Sequence, residues 1–412
     1  MGRVVVTGLG AVSPLGIGVP ALWDGLVAGR SGVRRVQHFD TTNLPVKIAA
    51  EVPDFEPKQF MDPKSVRRMD RFAQFAIAAT REALTDAGLE VSDENRERIA
   101  IMMNTGGGGI PSIESSVTAM ATRGPGRVGP LVIPMFAPNM ASSQVSIAFG
   151  ILGPTITSAA ACASGVQAYV DAVRLLRCGE ADVVITGGTE AGITPVALTS
   201  LSHMQALSHR NDDPQAASRP FDADRDGFVF GEGAGVLILE TEEHALRRGA
   251  HIYAEAMGGA LTSDAFHLTA PEPTGRGARA AMTNALKRAS MSPEDIDFIA
   301  AHATSTPLGD VVETRAIKGA LGDHAARVAI SANKSMVGHM LGAAGAISAI
   351  SAVLAIRDGV VPPTINLQNP DPECDLNYVP NVAEHRTVDA AMVNGFGFGG
   401  QNASTIFRRY AG

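Results

Sequence analysis

The sequence predicts an α/β protein in which helices cover sheets, and three observations support this class. Short β-rich runs recur along the 412 residues, and several are apolar throughout, as is typical of strands covered on both faces. Helical patterns lie between these runs, and such alternation indicates α/β layers. A weak internal repeat indicates two similar halves. The β-rich runs are Arg3–Thr7, Arg98–Met103, Asp182–Thr186, Gly235–Glu240, Asp297–Ala301, Arg327–Ser331 and Ala403–Arg408.

Two helical segments are marked by their residue pattern and by signals at their ends. Arg71–Ala87 places aromatic and alanine side chains on one stripe and stops at Gly88, which is typical of a helix C-terminus. Ser292 and Pro293 predict a helix start, with the serine as the cap and the proline in the first turn.

The internal repeat appears when the chain is compared with itself at a shift of 180 residues, which superimposes Ala163–Gly179 on Ala343–Gly359. Six positions are identical, which is weak evidence in such alanine-rich segments. Both segments nevertheless have the pattern of a buried helix that follows a strand and ends at glycine. We therefore predict two halves, residues 1–250 and 251–412, each with a sheet packed on a central helix.

Composition and charge argue against several classes of protein. Apolar residues make up 45% and charged residues 18%, which is typical of a globular chain. The net charge of −8 argues against non-specific nucleic-acid binding, which needs a basic face. The three cysteines are too few and too scattered for a disulfide framework or a zinc site, so we expect a reducing, cytoplasmic setting.

Two uncharged stretches were candidates for membrane insertion. The stretch between Arg127 and Asp171 contains prolines and amide side chains that would leave polar groups unsatisfied in lipid. Met340–Ile356 is short and rich in glycine, alanine and serine, which favours a helix buried on all sides in a protein core. We therefore predict no membrane insertion.

Two motifs resemble cofactor or metal sites only superficially. The segment Gly8–Ser13 follows a predicted strand but lacks the third glycine of a dinucleotide loop, so we interpret it as a tight turn. Asp222–Gly227 imitates the start of a calcium loop, but Glu232 lies one position too early for the bidentate ligand. We interpret that segment as a structural turn held by carboxylate–backbone hydrogen bonds, and we predict no metal.

Cys162 differs from the other cysteines in its local context. It follows the short strand-like segment Pro154–Thr157 and precedes an apolar helix, which would place it at a helix N-terminus. There the helix dipole and free N–H groups favour a thiolate and lower the pKa of the thiol. On spacing alone, a nucleophile and an inert core filler are equally matched. Cys178 and Cys374 lack this context, and we assign both to packing.

Two histidines and a lysine also stand at the ends of predicted buried elements. His302 ends a predicted strand, and His339 lies five residues after Lys334 at the start of a glycine- and alanine-rich helix. Polar groups in such positions need a partner or a function. Each alone is more often structural, but a cysteine, two histidines and a lysine at such ends suggest one site.

The glycine-rich segment 394–400, NGFGFGG, completes this set. Its glycines permit backbone conformations closed to other residues, so N–H groups can converge on an anion and a loop can move. A phosphate-binding loop is the alternative, but the segment lacks the Lys-Ser/Thr pair that a P-loop requires.

Taken together, four ordered motifs resemble those of the β-ketoacyl-[acyl-carrier-protein] synthases, and the type II condensing enzymes of fatty-acid synthesis look most similar. The resemblance extends from Val4 to the C-terminus, which argues against chance agreement. The four motifs are Ala161–Gly165, His302–Pro307, Lys334–His339 and Gly395–Gly400.

The resemblance implies a thiolase fold, with two duplicated halves in a five-layer αβαβα core, and a homodimer as the usual assembly. It also implies a decarboxylating Claisen condensation that needs no cofactor. An acyl group would move from the phosphopantetheine of an acyl carrier protein to Cys162. Malonyl-carrier protein would then lose CO2 with help from His302 and His339, and the resulting carbanion would attack the thioester.

The resemblance also implies roles for further residues. The backbone N–H groups of Cys162 and Phe398 would form an oxyanion hole, and Phe398 would act as a gate between its flanking glycines. Lys334 and Glu313 would orient the catalytic set, with Lys334 as a general base being the weaker alternative. The residues that match the pantetheine tunnel are Thr269, Thr304 and Thr306.

Four basic residues are candidate contacts for the acidic carrier protein, and a solvated basic face is the equally weighted alternative. A local patch of this kind can steer a partner despite the overall negative charge. The four residues are Lys64, Arg67, Arg68 and Arg127.

Three positions depart from the family pattern. Ala303 replaces a glycine that usually follows the histidine, so a positive φ at this position would cost strain. Gln205 replaces a frequent arginine at the docking rim. Gly107 stands where the family often has a bulky residue that closes the acyl pocket, so we expect a deeper pocket suited to long or bulky chains.

We therefore expect an elongating synthase, and three other interpretations are weighed against it, of which the first two remain as alternatives. A ketosynthase of a polyketide or specialised-lipid pathway would share every residue named above. A non-enzymatic chain-length partner subunit would lack the nucleophile, so Cys162 argues against it. A degradative thiolase would want a second active-site cysteine near the C-terminus, where residues 397–399 offer none.

Overall fold

The computed structural model describes residues 2–412 as an α/β protein with one large sheet. The strands are β1 Val4–Ser13, β2 Gly16–Ile17, β3 Arg34–Arg35, β4 Ile48–Ala49, β5 Ile99–Asn104, β6 Thr155–Ile156, β7 Val183–Glu190, β8 Gly233–Thr241, β9 Ala254–Ser263, β10 Phe298–Ala300, β11 Ala329–Ser331, β12 Val360–Val361, β13 Glu384–His385, β14 Ala390–Gly397 and β15 Gln401–Arg408. The helices are α1 Val19–Val27, α2 Pro63–Val66, α3 Arg71–Asp86, α4 Ile110–Arg123, α5 Val132–Phe136, α6 Met140–Phe149, α7 Ser164–Arg177, α8 Pro195–His203, α9 Glu242–Arg247, α10 Arg276–Ala289, α11 Gly309–Leu321, α12 Lys334–Val337 and α13 Ala344–Asp358.

The strand order of the large sheet is symmetric about its middle. The order is β11-β10-β14-β15-β9-β1-β8-β7-β5-β6, with β2 paired to β1. On each side of the β1–β9 junction, two antiparallel pairings are followed by two parallel pairings. The junction itself joins Val5 to Glu255 and Val6 to Ala254. The chain crosses from one side to the other between α9 and β9, close to residue 250.

The helices and strands form five layers. Helices α7 and α13 occupy the central layer, where each contacts strands from both sides of the symmetric sheet. Helices α3 and α6 cover the outer face of one side, and α10 and α11 cover the other. Alternate residues of β8 serve different layers: Leu237 and Leu239 pack against the central helices, whereas Val236 and Ile238 pack under α3. The five-layer αβαβα core that the sequence predicts is confirmed.

The internal repeat corresponds to the two central helices. Each begins after a single 3-10 turn, Ala161–Ala163 or Leu341–Ala343, and each is followed by a glycine with positive φ, Gly179 or Gly359. The helix Leu341–Asp358 is long and apolar enough to cross a membrane, but 83% of it is buried inside the protein. It therefore forms part of the core, as its composition indicates.

The expectation of a tight turn at Gly8–Ser13 is wrong, because β1 continues through the whole segment. The glycines instead allow α3 to cross close to the strand. A Cβ on Gly10 would lie 1.9 Å from the carbonyl oxygen of Ala79, and a Cβ on Gly8 would lie 2.4 Å from that of Ala83. Glycine inside a strand is commonly required where another backbone approaches this closely.

Other element predictions hold with changes in length. The helix after Asp70 ends at Asp86, with Gly88 at a φ of +57°. Ser292 caps only one 3-10 turn, Pro293–Asp295, because β10 begins shortly afterwards. The predictions missed β9 and β14, and the start of the glycine-rich segment 394–400 lies within β14. The turn at Asp222 is confirmed, since its carboxylate accepts hydrogen bonds from the N–H groups of Asp224 and Gln368.

Candidate active site

A cavity of about 360 Å³ lies where the C-terminal ends of β10 and β14 meet the beginning of α7. The two strands are parallel, so the loops that follow them emerge at the same edge of the sheet. Cys162, His302, His339, Glu313 and Phe398 all contribute to its lining. The sequence predicts one site for these residues, and they line one cavity.

Cys162 lies in the 3-10 turn that leads into α7 and is 5% exposed. The residue before it, Ala161, has a φ of +46°, a left-handed conformation that costs an alanine roughly 1–2 kcal/mol. Gly397 packs against this turn, and a Cβ there would lie 3.2 Å from the backbone nitrogen of Cys162. The absence of a side chain at Gly397 keeps the backbone beside the sulfur uncovered.

Burial raises the pKa of the Cys162 thiol to about 12, so the prediction of a lowered pKa is wrong. The helix N-terminus does act in the predicted direction, but desolvation of the thiolate outweighs it. The backbone N–H of Phe398 and the charge of Lys334 lower this pKa in part, whereas the charge of Glu190 raises it further. The sulfur is therefore a thiol at neutral pH.

The loop after β10 is held by the carboxylate of Glu313. One oxygen accepts a hydrogen bond from the N–H of His302 at 2.9 Å, and the other accepts one from the N–H of Ala303 at 2.6 Å. Ala303 has a φ of +28°, so the expected strain at this position is present. Burial raises the pKa of Glu313, and the two N–H groups oppose that shift.

His339 contributes a buried imidazole with two unpaired ring nitrogens. It is 2% exposed, and neither Nδ1 nor Nε2 has a hydrogen-bond partner among the described residues. Its ring lies edge-on to that of His302, with centroids 5.4 Å apart, and edge-on to Phe228. Because buried polar atoms are rarely left unpaired, this ring is suited to bind a polar atom that enters the cavity.

Both imidazoles are neutral at physiological pH. Burial, together with the nearby charge of Lys334, holds the pKa of each ring well below its usual value, and the neighbouring His339 adds to the shift of His302. A neutral imidazole presents one N–H donor and one acceptor nitrogen. The pair can therefore donate two N–H groups without carrying a charge into the cavity.

Lys334 is 3% exposed and lies in the first turn of α12. Burial lowers its pKa to about 8, and the charge of Glu313 opposes the shift. The lysine therefore remains largely protonated at pH 7. It acts on the sulfur and on both rings as a nearby positive charge.

The structure adds Asn394 and Phe396 to the predicted set. The side-chain amide of Asn394 donates to Glu313 Oε1 at 3.3 Å and accepts from the hydroxyl of Ser404 at 2.8 Å. The ring of Phe396 lies 5.6 Å from that of His302. Both residues lie in β14, a strand that the sequence did not reveal.

The predicted tunnel residues belong to the same cavity. Thr269, Thr304 and Thr306 all line it, and the hydroxyls of Thr304 and Thr306 are 3.1 Å apart. Phe398 is half-buried beside Gly399, which has a φ of +81° and donates its N–H to the carbonyl of Leu268. The exposed residues Gln205 and Leu308 lie at the mouth.

The prediction of a deeper pocket at Gly107 is not supported by the geometry. Gly107 does not line the cavity that contains Cys162. Ile110 occupies the neighbouring space, and its Cδ1 would lie 2.6 Å from a Cβ built on Gly107. The N–H of Gly107 donates to Glu190 Oε1 at 3.1 Å, which ties this residue to a buried carboxylate that the sequence analysis missed.

The four basic residues proposed for docking are exposed and lie outside the cavity lining. Within residues 2–412, no carboxylate lies within 4.0 Å of their charged groups. Lys64, Arg67 and Arg68 are close together on and after α2, whereas Arg127 follows α4.

The described residues 2–412 hold no cluster of three or more His, Cys, Asp or Glu side chains arranged for a metal.

Family models match both parts of the chain. Residues 1–245 match the model described as "Beta-ketoacyl synthase, N-terminal domain", and residues 253–368 match "Beta-ketoacyl synthase, C-terminal domain". The chain is 50% identical over 408 residues to the 3-oxoacyl-[acyl-carrier-protein] synthase 2 of Synechocystis sp., which covers 99% of this chain and 98% of that relative.

Solved structures resemble the whole chain. The ishigamide ketosynthase/chain length factor superimposes with a TM-score of 0.93 at 38% identity, covering 100% of both chains. The type II PKS ketosynthase AntDE, solved in complex with its acyl-carrier protein AntF, superimposes with a TM-score of 0.91 at 34% identity, covering 99% of this chain and 100% of that one.

Proposed function

The chain belongs to the β-ketoacyl synthase family, and we propose that it carries out its condensation on Cys162 with neutral imidazoles from His302 and His339. It is an acyltransferase-class condensing enzyme of fatty-acid elongation with the thiolase fold. The observation that carries the residue assignment is the pair of unpaired ring nitrogens on His339, beside His302, in the cavity that contains the Cys162 sulfur.

The first half-reaction transfers an acyl group to the enzyme. The sulfur of Cys162 attacks the carbonyl carbon of an acyl-phosphopantetheine thioester, the bond to the pantetheine sulfur breaks, and the thiol proton ends on that leaving sulfur. The N–H groups of Cys162 and Phe398 are the donors for the tetrahedral oxyanion. Gly397, pressed against the Cys162 turn, leaves room for that oxygen.

The second half-reaction forms the carbon–carbon bond. Malonyl-carrier protein loses CO2, and its thioester oxygen takes up the charge as an enolate. Ring N–H groups of His302 and His339 stabilise that oxygen. This role suits two neutral rings, of which His339 has no hydrogen-bond partner among the described residues. The enolate carbon then attacks the thioester carbon on Cys162, and the cysteine sulfur leaves and recovers a proton.

Lys334 and Glu313 hold this arrangement rather than exchange protons with substrate. Glu313 binds the N–H groups of the His302 loop and is itself bound by Asn394. Lys334 supplies a positive charge that stabilises the cysteine thiolate when it leaves. Burial and this same charge together hold the pKa of both imidazoles well below its usual value.

The substrate carrier is an acyl carrier protein bearing an acyl- or malonyl-phosphopantetheine. The pantetheine arm would pass Thr269, Thr304 and Thr306, whose hydroxyls can hydrogen-bond to its amides. The unpaired cations of Lys64, Arg67, Arg68 and Arg127 would contact the acidic carrier. Added salt should therefore raise KM for carrier-bound substrate more than KM for a free pantetheine thioester.

We also propose a homodimer formed by the edge of the sheet at β6 and the helices beside it. Strand β6 ends the strand order, and α4, α5 and α6 continue from it as one connected surface. This surface exposes large apolar side chains, including Val117, Ile133 and Ile147, the last of which is 73% exposed. Such a patch is typical of an interface. A single monomeric species in sedimentation velocity would contradict it.

Two further assignments follow from the chemistry and the chain's symmetry. The enzyme would work in the cytoplasm, because a reducing compartment keeps the Cys162 thiol free. The duplicated halves are residues 1–250 and 251–412, and the symmetric strand order supports this boundary.

Acylation of Cys162 is the direct test of the mechanism. The protein is incubated with acyl-carrier proteins of graded chain length, and the adduct is located by peptide mass spectrometry. We expect acylation at Cys162 and none in Cys162→Ala, with Cys178→Ala as the matched control. Condensation that survives Cys162→Ala would overturn the assignment. Product formation from long saturated primers favours fatty-acid elongation, whereas repeated extension without reduction favours the polyketide alternative.

A further inference from the structure

Glu190 is a buried carboxylate with no role in the mechanism above. It ends β7, is fully buried, and accepts hydrogen bonds from three backbone N–H groups: Gly106 at 2.8 Å, Gly107 at 3.1 Å and Gly342 at 3.0 Å. The hydroxyl of Thr105 also lies 3.3 Å from Oε1. No cation of the described residues pairs with it within 4.0 Å. A buried carboxylate that accepts backbone N–H groups without a counterion calls for an explanation.

The symmetry of the fold places this carboxylate opposite the active site. At the repeat shift of 180 residues, Gly342 at the beginning of α13 corresponds to Cys162 at the beginning of α7. The strand that ends beside Cys162 is β14, and the strand that ends beside Gly342 is its symmetric counterpart β7. Each central helix therefore starts against a strand from the opposite side of the sheet.

The packing distances agree with this correspondence. A Cβ on Gly188, two residues before Glu190, would lie 3.3 Å from the Cα of Ala343. A Cβ on Gly395, two residues before Gly397, would lie 3.3 Å from the Cα of Ala163. Glu190 thus takes the place of Gly397, and its carboxylate meets the N–H of Gly342 where an oxyanion would meet the N–H of Cys162.

We propose that Glu190 is a positioning residue of the active site, a built-in anion that fills the symmetric counterpart of the oxyanion hole. This inference rests on the function proposed above. By binding Gly342 and the loop after β5, Glu190 fixes that loop against the first turn of α7. Asn104 at the end of β5 donates to the carbonyl of Ser164 at 2.9 Å and accepts from the N–H of Ser158 at 2.8 Å, so the fixed loop reaches both sides of Cys162.

The charge of Glu190 also acts on the Cys162 sulfur. Burial raises the pKa of Glu190 to about 7, so the carboxylate gains its charge as pH rises through neutrality. Its charge raises the pKa of Cys162, whereas the Phe398 N–H and Lys334 lower it, and the His302 and His339 rings facing the cavity are neutral. An effect of the Glu190 charge on thiol reactivity must therefore grow as pH rises through about 7.

The test is the rate at which iodoacetamide alkylates Cys162 in the full chain, followed by peptide mass spectrometry. Below the thiol pKa this rate is proportional to the thiolate fraction. We expect Glu190→Gln to alkylate about 3–10-fold faster than wild type at pH 8.5, and at nearly the wild-type rate at pH 6. Glu82→Gln is the matched control, since Glu82 also binds two backbone N–H groups, those of Ala11 and Val19.

The condensation rate of Glu190→Gln should fall, although its alkylation rate rises. The amide of Glu190→Gln places a donor against backbone N–H groups, so we expect condensation to fall about 10-fold or more as the loop shifts. Glu190→Asp keeps the charge, so its alkylation rate should stay near wild type at both pH values while its condensation rate falls. Should the glutamine variant fail to fold, wild type alone serves: the logarithm of its alkylation rate should rise with a slope below one between pH 6 and 7, where Lys334 stays largely protonated.

Each outcome separates this inference from the proposed function. A Glu190→Gln alkylation rate raised equally at pH 6 and pH 8.5, or a wild-type slope of one, would overturn the charge effect on the thiol. Unchanged condensation in Glu190→Gln would overturn the positioning role. These results leave acylation of Cys162 intact. Failure to acylate Cys162 in wild type would instead overturn the proposed function itself.

Discussion

The beginnings of α7 and α13 are two versions of one structure with different chemistry. Both helices follow a 3-10 turn whose first residue has positive φ, +46° at Ala161 and +39° at Leu341. Cys162 follows in one turn and Gly342 in the other. The first faces a cavity with two imidazoles, and the second faces the carboxylate of Glu190. The backbone prepares both ends to bind an anion, and the side chains decide which end receives substrate.

The comparison shows that the helix N-terminus alone does not make a catalytic site. The same backbone arrangement binds an internal carboxylate at one end and a reactive sulfur at the other. What distinguishes the catalytic end is Gly397, which leaves space, and His339, whose matching position at the shift of 180 is Ala159. Space and unpaired donors thus convert an anion-binding backbone into an active site.

The largest expected effect comes from removing the imidazole that only the catalytic end possesses. His339→Ala should lower the condensation rate by about 10²–10⁴-fold, because the enolate oxygen loses a donor. Acylation of Cys162 should stay within about tenfold of wild type, since the N–H groups of the oxyanion hole remain. Malonyl decarboxylation and Cys162 acylation are measured separately. His251→Ala, an exposed histidine packed on Tyr253, is the control.

An equal loss of acylation and condensation in His339→Ala would contradict the division of labour between the two half-reactions. It would place the ring in the acyl-transfer step instead. The beginnings of α7 and α13 would then differ in how each binds an oxyanion of the acyl-transfer step.

A smaller effect is expected from adding a methyl group at the other end. Gly342→Ala should lower the free energy of unfolding by about 1–3 kcal/mol, because overpacking a close backbone contact costs this much. The new Cβ would lie 2.5 Å from the backbone nitrogen of Gly106. Gly126→Ala is the control, since a Cβ there meets no atom within 4 Å. Urea unfolding gives both values, and equal stability of the two variants would show that the Glu190 end is not tightly packed.

The smallest effect concerns the strained residue that both ends share. Ala161→Gly should change the free energy of unfolding by no more than about 1 kcal/mol, in the stabilising direction, because glycine adopts positive φ without strain but loses more entropy on folding. Acylation of Cys162 should be retained within about threefold. Thermal unfolding and the acylation rate check this. A marked loss of acylation would show that the strain itself positions the sulfur.

The sequence predicted the parts of the site that stand at the ends of patterned elements. Cys162, His302 and His339 interrupt apolar segments, so their chemistry was visible one segment at a time. The β1 glycines were misread because the approach of α3 to Gly10 is a tertiary contact with no local signal. The direction of the Cys162 pKa shift was predicted wrongly for the same reason. Burial, a tertiary effect, raises this pKa by more than the helix N-terminus lowers it.

Other residues became visible only in three dimensions. Asn394 was quoted as part of the glycine-rich segment, but its bond to Glu313 spans 81 positions in the chain. Glu190 carried one signal that could have been used: an acidic residue that closes an otherwise uncharged, buried strand, VVITGGTE. The resemblance to a family supplied Thr269, Thr304 and Thr306, which no pattern in this chain indicates.

The central helices cross at glycines, close enough for backbone atoms of the two helices to approach each other directly. A Cβ on Gly165 would lie 2.7 Å from the carbonyl of Gly342, and one on Gly345 would lie 2.7 Å from the nitrogen of Val166. Where backbone contacts backbone in this way, there are no side chains that could adjust as one side of the protein moved relative to the other. The middle of this enzyme is therefore tightly packed, and we expect any movement that admits a long acyl substrate to occur at the rim of the cavity around Phe398.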